Sequence, residues 1–238
     1  MEILAIQGSH RPEKSNTEMI LQEFLKGAGS RGANYETIYL KEKHINFCIG
    51  CNTCWMETPG ICIFRDDMPE LLDKVIKCDI LAYATPLYNY NMTSLLKRFQ
   101  ERLHPLSDPH LVRTGKAYRH PQRDQKARKM VLISTCALPE VSHFKGLRKI
   151  FRQIEWSSQM PLIGELLVPT AEFLKKRSLQ EEIGMILQAA YRAGIEIVSK
   201  GKVSKKVEDQ IQKSPLTPSE MAEMSNRWWD TRIQRIDR

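Results

Sequence analysis

Short apolar runs that alternate with segments of helical periodicity constrain the fold of this 238-residue chain more than any other feature. The first run, Ile3 to Gln7, ends at Gly8, and from Asn16 onward apolar residues recur at helical spacing. Four more strands are predicted at residues 35–40, 80–85, 130–135 and 162–168, of which the last three are mainly apolar. Runs of this length suit strands that are buried on both faces. Their alternation with helices predicts a parallel sheet covered by helices on both sides.

Five strands in this rhythm fit an α/β three-layer sandwich of the flavodoxin-like type, whose fold template supplies the strand order 2-1-3-4-5. We expect this domain to occupy residues 1–200. Residues 201–238 are predicted to form a helical C-terminal tail, not a separate domain, whose Trp228 and Trp229 dock on the main domain or on another subunit. Residues 104–127 are rich in proline and charge, and are predicted to form an exposed, irregular excursion.

The formal net charge of +8 favours anionic partners in general. The basic residues are scattered in short groups without a nucleic-acid-binding signature, so we do not expect nucleic acid as a partner. No apolar run approaches the roughly 20 residues needed to span a bilayer. The N-terminal segment also lacks the basic residues that open a signal peptide. We therefore expect a cytoplasmic protein with no membrane partner.

The loop from Gly8 to Thr17 has the chemistry of an anion site. A strand-to-helix turn brings backbone N–H groups and the positive end of a helix to one point. Hydroxyl, amide and guanidinium groups can add donors for a phosphate. These groups belong to Ser9, Arg11, Ser15, Asn16 and Thr17. The pattern matches neither the dinucleotide-binding nor the P-loop motif, and the alternative is an ordinary polar loop in which Ser15 caps the helix.

Four segments, taken in order, resemble the NADPH-dependent FMN reductase and multimeric flavodoxin superfamily, and the similarity covers roughly residues 1–200. The segments are Gly-Ser-x-Arg…Ser-Asn-Thr in the first loop, Cys-x-x-Cys-x-x-Cys…Gly-x-Cys…Asp-Asp-Met after the second strand, Thr85-Pro86-Leu87-Tyr88-Asn89-Tyr90, and Phe99-x-x-Arg102-Leu103. The resemblance implies that Ser9, Arg11, Ser15, Asn16 and Thr17 bind the phosphate of FMN. It also implies that the run from Pro86 lies along the isoalloxazine ring.

Two further loops follow strands of the same sheet, and ligands of an open parallel sheet lie beyond the carboxyl ends of its strands. The run Pro86-Leu87-Tyr88-Asn89-Tyr90 can offer an apolar wall and backbone donors to a flavin. The alternative is that its two tyrosines only pack a turn. Thr135, after the fourth strand, is the third candidate contact, whereas its neighbour Cys136 is interpreted as a small buried residue.

Four cysteines within fifteen residues predict metal, cluster or redox chemistry rather than structural disulfides in a cytoplasmic chain. They are Cys48, Cys51, Cys54 and Cys62. Their two-residue gaps resemble the first three ligands of a bacterial ferredoxin, and the family includes iron–sulfur flavoproteins in which such a motif holds a [4Fe–4S] cluster beside FMN. Structural or redox thiols are the alternative, and the spacing disfavours zinc. Asp66 and Asp67 are interpreted as a helix cap.

These features predict an FMN-dependent oxidoreductase that takes hydride from NAD(P)H and passes electrons to a quinone or another small-molecule acceptor. Hydride transfer depends on stacking geometry more than on an acid or base, so we expect no indispensable catalytic side chain. The alternative is an iron–sulfur flavoprotein that exchanges electrons with a ferredoxin-like protein. The positive net charge of this chain would suit a partner with an acidic surface. A non-catalytic flavin or nucleotide sensor is a third candidate, and the tail favours a homo-oligomer.

Overall fold

A computed structural model describes residues 1–236 and contains the predicted sheet, with each main strand within one residue of its expected position. The strands are β1 (Glu2–Gln7), β2 (Asn34–Tyr39), β3 (Ile80–Pro86), β4 (Val112–Thr114), β5 (Ala117–Arg119), β6 (Lys129–Thr135) and β7 (Leu162–Val168). The helices are α1 (Asn16–Gly29), α2 (Thr53–Met56), α3 (Met68–Lys77), α4 (Ser94–Glu101), α5 (Lys145–Ser158), α6 (Gln180–Lys200), α7 (Lys205–Ile211) and α8 (Pro218–Ile236).

The five main strands form one parallel sheet in the order β2-β1-β3-β6-β7. Counted within that sheet alone, the order is 2-1-3-4-5, which confirms the flavodoxin-like expectation. Strands β4 and β5 pair only with each other, as an antiparallel hairpin outside the sheet. The order reverses between β1 and β3, and an open α/β sheet binds its ligands beside such a reversal.

Each face of the sheet has its own hydrophobic core, because successive side chains of a strand point to opposite faces. In β1, Ile3 and Ala5 pack with buried residues of α1, α6 and α7. Leu4 and Ile6 pack instead with buried residues of α3, α4 and α5. Alternate apolar side chains of each strand thus face the two helix layers on opposite sides of the sheet, and this gives the three-layer sandwich.

Helices α1 and α6 cross in direct backbone contact at two glycines. A Cβ atom placed on Gly27 would lie 1.9 Å from the carbonyl oxygen of Tyr191. A Cβ atom on Gly194 would lie 1.9 Å from the carbonyl oxygen of Phe24 and 2.6 Å from the amide nitrogen of Ala28. The contact lies near the C-terminal end of α1, the helix that begins at the first loop.

The excursion at residues 104–127 is more ordered than the sequence suggested. It contains the hairpin of β4 and β5, and its ends meet where Ser107 pairs with Gln122. Pro105 and Leu106 are buried. The expectation of an irregular segment is therefore wrong for the hairpin, and the expectation of exposure is wrong for Pro105 and Leu106, whereas most residues from 110 to 118 are exposed as expected.

The C-terminal tail consists of two helices that pack differently. In α7, Val207 and Ile211 are buried in the core beneath α6. In α8, Met221 is buried, whereas Trp228 and Trp229 are about half exposed and packed edge to face at 4.6 Å. The two rings contact each other, and their docking on the main domain or on another subunit stays a prediction. Residues 237 and 238 of the predicted tail lie outside the described residues.

No helix within residues 1–236 combines the length and apolar character that a bilayer crossing requires.

The glycine contact gives a test with a matched control inside one helix. We expect Gly194→Ala to lower the free energy of unfolding by about 2–3 kcal/mol, because the added methyl group forces the two backbones apart. Gly184→Ala, also in α6, meets no atom within 4 Å and should raise stability by up to about 1 kcal/mol through helix propensity. Urea unfolding measures both; equal effects would contradict the close contact.

Candidate functional site

Three loops meet at the carboxyl edge of the sheet and are joined by hydrogen bonds. The hydroxyls of Thr17 and Thr135 lie 2.7 Å apart, which links the first and third loops. The hydroxyl of Thr93 donates to the carbonyl of Gly8 at 2.6 Å, which links the second loop to the first. The amide of Leu87 donates to the carbonyl of Thr135 at 2.8 Å and closes the ring. The predicted juxtaposition of three ligand loops is therefore present in the fold.

The first loop presents backbone donors at the start of α1. Ser15 is the N-cap residue, and its hydroxyl accepts from the amide of Glu18 at 3.4 Å. The amides of Asn16 and Thr17 open the helix and have no acceptor within it, as is general for the first turn. The Ser15 hydroxyl accepts here and keeps its own hydrogen, and the Thr17–Thr135 pair shares a single hydrogen bond, so hydroxyl groups as well as backbone N–H groups can still donate at this end of the helix. An anion fits this end of the helix.

Gly8 is required for close packing rather than for an unusual backbone angle. A Cβ atom at this position would lie 2.9 Å from the Cβ of Leu96 and 3.1 Å from the Thr93 hydroxyl. Ser9 is buried, and its hydroxyl accepts from the amide of Arg11 at 3.2 Å. The Arg11 residue itself is exposed. Its guanidinium is therefore free to provide charge at the mouth of the loop.

The second loop is a tight turn from Tyr88 to Asn91 that holds two residues in the left-handed region. Asn89 has φ 48° and Tyr90 has φ 63°, and the amides of Tyr88 and Asn91 each donate to the other's carbonyl. A left-handed non-glycine residue costs about 1–2 kcal/mol, and such residues cluster where a ligand is held. Tyr88 and Tyr90 are about half exposed, so their rings are not part of the hydrophobic core.

All four cysteines of the compact motif line one cavity of about 700 Å³. Cys54 is buried, Cys62 is half-buried, and Cys48 and Cys51 are exposed. Burial raises the pKa of the Cys54 thiol, and the charges of the other three cysteines raise it further, which reflects how close the four groups lie. Within residues 1–236, no three His, Cys, Asp or Glu side chains are already drawn together as a metal site. The donor set suits a thiolate-bound group whose binding would gather the sulfurs.

The cysteine segment is packed against the excursion through an aromatic stack. Trp55 lies on His104 at 3.9 Å between ring centroids and on His120 at 4.6 Å. Its indole nitrogen donates to the carbonyl of His104 at 3.3 Å. Burial lowers the pKa of His104, and the charge of His120 lowers it further. The excursion therefore forms one wall of the cysteine cavity.

A buried ion pair holds together the two ends of the cysteine segment, which contains Cys48 to Cys62. The guanidinium of Arg102 donates to both carboxylate oxygens of Asp66, at 2.7 and 3.1 Å, and their side chains are 1% and 0% exposed. Arg102 also donates to the carbonyl of Asn46 at 2.8 Å. The Asp66 carboxylate accepts from the Asn46 amide and from the amide of Met68, the first residue of α3. Residues on both sides of the segment are thus held by one carboxylate.

These contacts correct the interpretation of the two aspartates. Asp67 is the N-cap residue of α3 but makes no capping hydrogen bond, and its carboxylate accepts from the amide of His44 instead. Asp66 does accept from a helix amide, but its principal partner is Arg102. Burial raises the pKa of Asp66, and the hydrogen bonds from Arg102 and the backbone outweigh it, so that the pKa falls from 3.8 to about 2.

Sequence reasoning missed two residues of the cavity wall, Tyr83 and Arg128. Tyr83 lies in the middle of β3 among aliphatic residues, and this single polar-tipped side chain in a buried run was the available signal. Arg128 stands directly before β6 in a group of basic residues that suggests a solvated face. It is only 3% exposed, because Asp124 binds its guanidinium at 2.7 and 2.8 Å.

Comparison with known proteins places these features in a family. Residues 1–140 match the family described as NADPH-dependent FMN reductase. An iron-sulfur flavoprotein of Methanocaldococcus jannaschii is 37% identical over 106 residues, which are 44% of this chain and 53% of that protein. An iron-sulfur flavoprotein of Archaeoglobus fulgidus is 36% identical over 105 residues, 44% of this chain and 46% of that protein. The chain thus matches about half the length of these curated relatives.

Solved structures share the fold at low sequence identity. An azoreductase from Bacillus anthracis superposes with a TM-score of 0.61 at 11% identity, over 84% of this chain and 99% of that one. An NAD(P)H:quinone oxidoreductase from Methanothermobacter marburgensis superposes with a TM-score of 0.60 at 15% identity, over 83% and 98% of the two chains. These similarities support the flavodoxin-like fold.

The Asp66–Arg102 pair predicts a pH-dependent stability. We expect Asp66→Asn to lower the free energy of unfolding by about 3–5 kcal/mol at neutral pH, because it leaves a buried guanidinium without its counter-charge. Since the folded pKa of Asp66 lies below its ordinary 3.8, its stabilisation is present above pH 4 and is lost as the pH falls towards 2.

Denaturant unfolding at pH 7 and at pH 2–4 measures both effects, with Asp67→Asn as the control. Asp67 accepts only a backbone amide in an exposed position, so its substitution should cost about 1 kcal/mol. Equal losses for the two variants, or an Asp66→Asn protein with the full acid sensitivity of the wild type, would contradict the assignment.

Proposed function

Since the chain belongs to the NADPH-dependent FMN reductase family, we propose that it is an FMN-dependent oxidoreductase that takes electrons from NAD(P)H. A bound flavin would pass those electrons to a quinone or another small acceptor. The observation that supports this proposal is the ring of hydrogen bonds that holds three loops together beside the reversal of strand order. A flat cofactor with a phosphate at one end would suit this edge of the sheet, where the start of α1 and the exposed Tyr88 and Tyr90 belong to loops joined by hydrogen bonds.

The residues fall into two groups by what they offer. The phosphate would lie against the amides at the start of α1 and the guanidinium of Arg11, with Ser9, Ser15, Asn16 and Thr17 as further contacts from the same loop. The ring system would lie along Pro86, Leu87, Tyr88, Asn89 and Tyr90, with Thr135 on the third loop. Bound FMN would accept hydride from the reductant, and the protein's task is to orient the two rings and to exclude water.

Phosphate binding is tested by removing a positive charge near the N-terminal end of α1 and, as a control, a positive charge near its C-terminal end. We expect Arg11→Ala to weaken FMN binding about tenfold, because a charge-assisted contact to a phosphate contributes about 1.5 kcal/mol. Arg31→Ala removes an equal charge beyond the C-terminal end of the same helix and should leave the affinity unchanged. Fluorescence titration of apoprotein with FMN gives both values, and an Arg11→Ala protein with wild-type affinity would remove the phosphate assignment.

A second candidate function is favoured by the cavity that the four cysteines share. We propose that Cys48, Cys51, Cys54 and Cys62 hold a [4Fe–4S] cluster, which would make the chain an iron–sulfur flavoprotein that exchanges electrons with a ferredoxin-like partner. The four cysteines line one wall of the cavity, and the two-residue gaps between the first three of them in the sequence suit such a cluster. The relatives named iron-sulfur flavoproteins support this candidate over redox thiols without metal.

Iron content decides between the two candidates. Protein purified without oxygen should contain about four irons per chain if the cluster is present, and Cys54→Ser should lower that number while FMN stays bound. Cys136→Ser is the control, because Cys136 is buried outside the cavity and should not affect iron. Yellow, iron-free protein that still oxidises NADPH would support the reductase without a cluster, and protein that takes up neither FMN nor iron would contradict both functions.

A further inference from the structure

A fully buried glutamine ends β1 at the point where the first loop begins. The side-chain oxygen of Gln7 accepts from the amide of Ser9 at 2.9 Å, and its side-chain nitrogen donates to the carboxylate of Glu18 at 2.7 Å. Turning the side-chain amide over would set donor against donor at Ser9 and oxygen against oxygen at Glu18. The two contacts therefore hold Gln7 in one orientation, and through Gln7 they join the first loop to α1.

The carboxylate of Glu18 is held in turn by donors from three elements. Besides Gln7 of β1, it accepts from the hydroxyl of Tyr39 in β2 at 2.8 Å and from the side-chain amide of Gln22 in α1 at 2.7 Å. Hydrogen bonds to a charged group are about twice as strong as those between neutral groups. Three of them restrict the Glu18 side chain, so the acceptor that it offers to Gln7 is fixed in place.

The position of Glu18 in its helix shows that this contact replaces a more usual one. Glu18 lies three residues after the N-cap residue Ser15, where a glutamate commonly reaches back to the N-cap amide as part of a capping box. In this chain the amide of Ser15 donates instead to the carbonyl of Pro12 at 3.1 Å. The Glu18 side chain is thus not needed for the helix cap, and it binds Gln7.

The contact with Gln7 also determines how Ser9 is oriented. Since the Ser9 amide is bound to Gln7, it is not one of the donors open to an anion. The Ser9 hydroxyl accepts from the amide of Arg11 at 3.2 Å, and Arg11 carries the guanidinium that we assign to the phosphate. A series of hydrogen bonds therefore leads from Glu18 through Gln7 and Ser9 to Arg11.

We propose that Gln7 is a positioning residue for the phosphate of FMN: held by Glu18, its side chain sets the conformation in which the first loop receives that group. Gln7 is fully buried, so it acts through Ser9 and does not touch the cofactor. The inference rests on the proposed oxidoreductase function and adds to its phosphate site a residue that lies outside the loop itself.

The test replaces the amide of Gln7 by a carboxyl group, which has the same shape. When protonated, this group can accept from Ser9 and donate to Glu18 as the amide does; when ionised, it faces Glu18 with a second negative charge. Fluorescence titration of the apoprotein with FMN at pH 5.5 and at pH 9 gives the affinity of Gln7→Glu, compared with the wild type at the same pH. We expect wild-type affinity at pH 5.5 and about tenfold weaker binding at pH 9, the value of one hydrogen bond to a charged group.

Tyr39 keeps its hydrogen over this pH range. Burial, followed by the hydrogen bond to Glu18, raises the pKa of Tyr39 to about 12, and the charges of Glu18 and Glu42 act in the same direction. The contact between Tyr39 and Glu18 is therefore present at both pH values. Since the wild type shares every other titrating group, including the phosphate of FMN, the comparison reports the ionisation of the substituted carboxyl group.

Gln22→Glu is the matched control, because it sets the same new carboxyl group against the same Glu18 carboxylate. Gln22 is only half-buried, so the new group can turn towards solvent, and the hydrogen bond of its side chain goes to Glu18 rather than to the first loop. Its affinity for FMN should stay within about twofold of the wild type at both pH values. Equal pH dependence in the two variants, or a Gln7→Glu protein with wild-type affinity at pH 9, overturns the proposal.

Urea unfolding of the same samples shows whether each variant is folded. If Gln7→Glu is unfolded at pH 9, the exchanged pair of Gln7→Glu with Glu18→Gln takes its place, because the carboxylate and the amide then bond with their roles reversed. This pair should bind FMN at pH 9 as the wild type does, and a loss of about tenfold in the folded protein overturns the proposal as well. A wild-type protein that takes up no FMN contradicts the proposed function itself, before any variant is compared, and this inference with it.

Discussion

The buried carboxylate of Asp66 determines where the cysteine segment can lie. It joins Arg102, at the end of α4, to backbone groups on either side of that segment. The same helix begins at Thr93, whose hydroxyl binds the carbonyl of Gly8 in the first loop. From Thr93 to Arg102 the helix rises about 14 Å. One short helix thus sets the distance between the crevice at the sheet edge and the base of the cysteine segment, and neither part can move without disturbing the ion pair.

The main fold could be predicted because β1, β3 and β6 are built around nearly continuous apolar runs, and such runs have few alternatives. The hairpin of β4 and β5 could not be predicted, since each strand has only three residues and one of them, in each strand, is a charged arginine. Periodicity is not defined over so short a length. The contact of the Trp228 and Trp229 rings with each other was also not predicted.

The candidate site divides in the same way. The residue types of the first loop indicate an anion site, and the sequence shows them all. What it does not show is that the hydroxyls of Ser15 and Thr17 are already engaged, by a helix amide and by Thr135, which lies 118 positions away. Tyr83 and Arg128 escape sequence reasoning because the role of each depends on a cavity formed by segments distant along the chain. Local patterns reveal the chemistry available, while long-range packing decides which groups remain free.

The backbone contact between Gly27 and α6 has a consequence for ligand entry. The main-chain contact near the C-terminal end of α1 anchors the helix whose first turn carries the amides of Asn16 and Thr17. An anion arriving there meets amides that are already aligned, and binding does not have to pay for ordering them. Capture of the phosphate would then be limited by diffusion and orientation, and the slower adjustments of binding would fall to the exposed tyrosine turn of the second loop.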